Sequence, residues 1–160
     1  MIVNGKTLLK ANPVAPMLDT KVREHGVSHG LTEAGYDIRI KQAVIFYPSE
    51  NQMMVDGEWV KGRFTIASTV EHFIMPNDLV GVVHDKSTWA RKGLSVFNTV
   101  LEPSWTGFLT LELVYHGSEV LHIPAGAGIA QILFHKIENT AAYEGKYQNQ
   151  PDKPVAAKHE

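Results

Sequence analysis

The chain has 160 residues, 44% of them apolar and 20% charged, with a formal net charge of -2. Those proportions suit one globular domain with its own core, and the scattered basic residues argue against a nucleic-acid partner. Cysteine is absent, which removes disulfides, thiolate catalysis and thiolate-bound zinc. No apolar run is long enough to span a bilayer and the amino end lacks a secretory pattern, so the expectation is a cytoplasmic protein without membrane contact.

Residues 1–32 mix short apolar pieces with Asn12-Pro13, Pro16 and glycines 5, 26 and 30, and read as an N-terminal arm with one helical turn at 6–10. Regular alternation begins at 34–40, where Tyr36, Ile38 and Ile40 interleave with Asp37 and Arg39. The pattern then predicts strands at 42–47 and 58–60 joined through Asp56-Gly57, at 63–70 and 71–75, and, after the turn residues Pro76-Asn77-Asp78, at 79–83. A short helix follows from Ser87, stopped by Gly93, and further strands are expected at 94–100, 108–115, 120–123 and 128–137. Many short strands with one short helix predict an all-β fold, a distorted jelly roll or β-barrel, in a single domain over 1–160. Residues 139–160 lose the alternation and form a tail holding Lys146, Tyr147 and Gln150. Composition alone permits either a frayed end or a nucleotide-closing segment.

Two features stand out chemically. In the predicted helix, Arg91 follows Ser87 by one turn, so a hydroxyl and a guanidinium share a face, although a serine at a helix start is equally a capping residue. In the strand at 108–115, Glu112 shares a face with Phe108, Thr110 and Val114. A carboxylate on such a face lies either at a wet sheet edge or in a pocket that raises its proton affinity and suits it to general acid–base work. No spacing sets a histidine beside Ser87 for a hydrolytic triad. The His-x-Glu and Pro-Cys-x-x-Cys signature of zinc deaminases is missing, so no metal site built into the protein is expected.

The stretch Lys86-Ser87-Thr88-Trp89-Ala90-Arg91-Lys92-Gly93-Leu94 resembles the Arg-Ser-Ser-Leu-Ala-Arg-x-Gly-Leu segment of the zinc-independent dCTP deaminases, relatives of the trimeric dUTPases. Four further stretches are similar to motifs of that superfamily in the same order: Ala34–Arg39, Pro103–Gly107 with Leu109–Glu112, Gly128–Ile132, and Gly145–Gln150 with its Lys-Tyr-x-x-Gln pattern. The resemblance implies a dUTPase-like β-barrel homotrimer with nucleotide sites between subunits, and hydrolysis of dCTP to dUTP and ammonia. It assigns Glu112 as general base and proton shuttle, Ser87 as the residue positioning the attacking water, and Arg91 as the group organising the serine and the developing charge. Lys86, Lys146, Tyr147 and Gln150 would bind the triphosphate with Mg²⁺ held mainly by the phosphates, without zinc. Thr99 and Glu102 belong to the loop that meets the sugar and base.

That loop departs from the family. Thr99-Val100-Leu101-Glu102-Pro103 is shorter than Thr-Ala-Gly-Trp-Ile-Asp-Pro, has Val100 where alanine is usual, and ends in Glu102 where the family's aspartate meets the sugar. Lys86 replaces an arginine, keeping the charge and losing the bidentate fork. Two alternatives stand beside the deaminase: a dUTPase or bifunctional enzyme forming dUMP, with Asp37 and Glu102 as its candidate acidic groups, and a trimeric nucleotide-binding protein without turnover.

Overall fold

Alternation of polar and apolar side chains becomes strand structure over nearly half of the computed structural model, which describes residues 1–159. In chain order the elements are β1 (Ile2–Val3), α1 (Gly5–Ala11), β2 (Val14–Ala15), β3 (Lys21–Glu24), β4 (Val27–Leu31), β5 (Tyr36–Arg39), β6 (Val44–Tyr47), β7 (Gln52–Val55) and β8 (Glu58–Lys61). They continue with β9 (Phe64–Ile74), β10 (Leu79–Asp85), α2 (Ser87–Ala90), β11 (Leu94–Val96), β12 (Val100–Leu101), β13 (Thr106–Tyr115), β14 (Leu121–Ile123) and β15 (Gly128–Lys136).

The strands form three antiparallel sheets. The largest runs β12-β10-β15-β5-β4-β3, with β1 also on β15; the second runs β11-β13-β9-β2 and the third β14-β6-β7-β8. The first two curl together at the end of β5, where Ile40 bridges Thr69 and the Lys41 N–H donates to the Ser68 carbonyl at 2.8 Å. Their inner faces supply the core: Tyr36, Ile38, Phe73, Leu111, Leu113, Ile132 and Phe134 are fully buried. Each such side chain contributes about 1.5–3 kcal/mol by leaving water. This is an all-β architecture of curled sheets, as the short alternating segments predict.

Three local expectations are corrected. Residues expected as two strands, 63–70 and 71–75, are the single strand β9, interrupted where its register against β13 slips between Phe108 and Thr110. At that irregularity the Thr69 hydroxyl accepts from the Leu109 N–H at 3.0 Å and donates to the Glu71 carbonyl at 2.7 Å, replacing lost ladder bonds. The strand expected at 94–100 is divided: β11 pairs with β13 in one sheet and β12 with β10 in another, so the chain changes sheets between Phe97 and Thr99. Asp85 helps to set this crossing by accepting the Val96 N–H at 2.7 Å. Finally, Lys86 and not Ser87 occupies the N-cap of α2, with no side-chain cap bond, and Ser87 is the first helical residue. Gly93, at φ +96°, ends the turn; a Cβ there would lie 2.9 Å from the Gly117 nitrogen.

Within residues 1–32, β1 joins β15, β2 joins β9, and β3 pairs with β4 on the edge of the large sheet.

Candidate active site

Glu112 stands on β13, flanked on both sides by β11 and β9, and its backbone carbonyl accepts the Phe97 N–H at 3.0 Å. It is therefore not at a sheet edge. Ile66 lies opposite it across the β9–β13 pair, and Phe64, Val100, Trp105 and Leu109 add further apolar wall to a cavity of about 640 Å³ that Glu112 also lines. Burial in these surroundings pushes the Glu112 carboxyl above its ordinary value, and a hydrogen bond from its own backbone partly opposes the shift. The side chain is half-buried, so water and a ligand can reach it.

Thr99 and Glu102 line the same cavity from either end of β12, and Tyr147 and Gln150 reach it from the tail. Sequence-predicted Glu112, Thr99, Glu102, Tyr147 and Gln150 are thus brought together within one chain. Ser87, Arg91, Lys86 and Lys146 are not among the residues lining this cavity. Ser87, the first residue of α2, and Arg91, at its C-cap, are exposed and joined by the backbone bond from the Arg91 N–H to the Ser87 carbonyl at 3.0 Å.

Lys86 is directed elsewhere. Its ammonium makes an ion pair with the buried carboxylate of Asp37 and donates to the Ser28 hydroxyl at 2.9 Å, while Ser28 donates to the same carboxylate at 3.0 Å. Gln131 completes the cluster, its amide donating to Asp37 at 3.2 Å and to the Thr32 hydroxyl at 3.1 Å. Below it the Trp89 indole N–H donates to the Gly128 carbonyl at 2.6 Å and fastens α2 to β15. This polar cluster combines side chains from the Ala34–Arg39, Lys86–Leu94 and Gly128–Ile132 stretches.

The tail is packed, not frayed. The Trp105 indole donates to the Tyr147 carbonyl at 2.7 Å, and the Gln148 amide oxygen accepts the Thr106 N–H at 2.7 Å. Gln150 forms a parallel bridge with Gly107, its carbonyl accepting the Phe108 N–H at 3.1 Å, and Asp152 pairs with Lys41. Lys146 and Lys158 hold their ammonium groups 5.5 and 5.8 Å from the centre of the Tyr147 ring, and the Lys158 N–H donates to the Tyr147 hydroxyl at 3.0 Å. Lys158 was missed by sequence reasoning, because a lone lysine beyond two prolines carries no pattern. Trp105, Thr110 and the Val155–Ala157 segment, which also line the cavity, were not singled out either. For Thr110 the alternation with Glu112 was the available signal.

Among the described residues no three or more His, Asp or Glu side chains cluster to hold a metal ion, and no helix is long and apolar enough to cross a membrane.

Comparison with known proteins bears on this geometry. Residues 17–137 match the family described as dCTP deaminase-like. A dCTP deaminase of Campylobacter lari is 32% identical over 166 residues, covering 91% of this chain and 89% of that protein. One from Herpetosiphon aurantiacus is 33% identical over 158 residues, with 86% of each covered. Among solved structures, a 2'-deoxycytidine 5'-triphosphate deaminase from Agrobacterium tumefaciens superposes with a TM-score of 0.60 at 17% identity, over 84% of this chain and 47% of that one. The native dUTPase of EIAV superposes with a TM-score of 0.53 at 16% identity, over 83% and 96%. These two likenesses concern the fold.

Proposed function

The chain belongs to the dCTP deaminase-like family, and on that premise we propose that it hydrolyses dCTP to dUTP and ammonia in pyrimidine deoxynucleotide metabolism. The observation that carries the reading is Glu112: a carboxyl in the middle of a sheet, lining a largely apolar cavity and held by burial above its ordinary proton affinity. Such a group takes a proton from water as the oxygen adds to C4 of cytosine, and returns it to the exocyclic nitrogen, which leaves as ammonia. The C4–O bond forms, the C4–N bond breaks, the second proton of the water passes from the new hydroxyl to N3 and leaves the C4 carbonyl of uracil, and Glu112 ends as it began. Fixing water and base in one cavity supplies orientation that solution lacks.

Ser87 positions the water and Arg91 organises the serine and the developing charge, both contributed by another copy of the chain in a homotrimer. Two features support that arrangement: their position on α2 outside the Glu112 cavity, and the exposed apolar Phe64, Phe97 and Val100, two of which line that cavity. A second copy covering this patch would bury it and bring in the cations that the cavity lacks. Thr99 and Glu102 meet the sugar and base. Lys146, Tyr147 and Gln150, within the closing tail of residues 139–160, bind the triphosphate, together with Lys86 once phosphate competes with Asp37 for its ammonium. Mg²⁺ fits as a passenger of the nucleotide, since no protein cage is formed among the described residues; bound there, it neutralises phosphate charge. The cytoplasm, where such nucleotides are formed, is the proposed compartment.

Incubating purified protein with dCTP and Mg²⁺ and measuring ammonia and dUTP tests the reading; no release of ammonia from dCTP would overturn it. Glu102 favours one second reading, because it sets another carboxylate on the cavity. If the enzyme continues from dUTP to dUMP, the same assay shows pyrophosphate, and Glu102→Gln suppresses it.

A further inference from the structure

Thr110 sits two residues before Glu112 on the same strand, is buried at 7% exposure, and lines the same cavity. Its hydroxyl donates to the Gln150 side-chain oxygen at 2.9 Å and accepts the Val155 backbone N–H at 3.1 Å. Among the described residues no other side chain of β13 hydrogen-bonds to the tail, and these two bonds grip it at both ends of a loop that carries Pro151, Asp152, Lys153 and Pro154. Beyond the second bond, Val155, Ala156 and Ala157 form one wall of the cavity.

We infer that Thr110 is a positioning residue: its hydroxyl latches residues 150–155 across the cavity, so that the strand carrying Glu112 also holds the segment that limits, without closing off, the access of bulk solvent to Glu112. The inference rests on the deaminase reading for its catalytic consequence only; the latch itself is a property of the fold. Loss of both bonds shifts the tail from closed toward open by about tenfold, the size expected for two neutral hydrogen bonds that water partly replaces. An open tail rehydrates Glu112, which lowers its proton affinity, and leaves Tyr147 and Gln150 unplaced.

The test compares Thr110→Val, which keeps shape and removes the hydroxyl, with Thr110→Ser, which keeps the hydroxyl. Amide hydrogen exchange across residues 148–158, measured without nucleotide, reads the Val155 bond directly. The expected result is exchange about tenfold faster in the valine variant and near-parental in the serine variant, with the strands of the core unchanged. Equal exchange in parent and valine variant overturns the latch, as does equal acceleration in both variants. With dCTP, the valine variant is expected to show a raised KM and an acid limb of kcat/KM displaced to lower pH, both restored by serine. If the parent turns over no dCTP, the deaminase reading fails, and the exchange comparison still decides the latch.

Discussion

Glu102 and Glu112 face one cavity from different elements, and no lysine or arginine is found among the described residues that line it. Two carboxylates in a largely apolar wall repel a polyanionic nucleotide. On the proposed reading, attraction of the substrate falls to cations outside that lining: Lys146 and Lys158 beside Tyr147, and those brought by another copy of the chain.

Mixing two inactive variants tests this division. Ser87→Ala and Glu112→Gln each remove turnover, yet trimers reassembled from equal amounts of both should recover about one quarter of parental sites if the residues come from different subunits. Recovery near zero in a demonstrably mixed trimer places them in one subunit. Ammonia release after unfolding and joint refolding is the measurement.

Glu112→Gln should abolish deamination while raising stability at neutral pH. The folded-state value of Glu112 lies above its unfolded value, so the fold favours the protonated form. The associated stability is present below the unfolded value, about pH 4.3, and is lost as pH rises through the folded one. Glutamine escapes that loss. The Tm advantage of the variant should grow between pH 4 and pH 8, as followed by thermal denaturation in matched buffers.

Asp37→Ala leaves the Lys86 ammonium buried without its partner, since their side chains are only 3% and 12% exposed. A cost of about 3 kcal/mol is expected. Replacing both, Asp37→Leu with Lys86→Met, should cost less than Asp37→Ala alone. Denaturant titration of the two variants checks the order.

Gly107→Ala should release the tail without unfolding the sheets. Gly107 has φ +144°, and a Cβ there would lie 2.5 Å from the Gln150 nitrogen. The tail is expected to move, with KM for dCTP rising about tenfold and Tm falling by a few degrees. Steady-state kinetics beside a melting curve separates the two effects.

Much of this was legible because strand periodicity is local. The alternation from Phe108 to Tyr115 placed Thr110 with Glu112, and the apolar neighbours of Glu112 left two readings, a wet sheet edge or a pocket that raises its proton affinity, of which the structure supports the second. It did not foresee Leu109 joining that cavity, because the slip opposite Thr69–Glu71 falls between Phe108 and Thr110, past Gly107, at residues of ordinary strand type. The pairing of Lys86 with Asp37 spans 49 residues and follows from β5 and β10 flanking β15, which charge spacing along the chain does not encode. Tyr147 and Gln150 were picked out in the tail, but how it docks was not legible: most of its docking bonds involve backbone groups, which every residue carries, and so impose no periodic pattern on the side chains.

The change of sheet between Phe97 and Thr99 has a mechanical consequence. Glu112 is mounted on one sheet, whereas Val100 is mounted on the next, so the span between Glu112 and the loop is set by how these two plates pack away from the Ile40–Thr69 bridge that joins them. A shortened loop has little slack to absorb movement of one plate against the other. Core substitutions that thin or thicken the packing between them would be felt as misalignment at the reacting carbon, far from any residue that touches it.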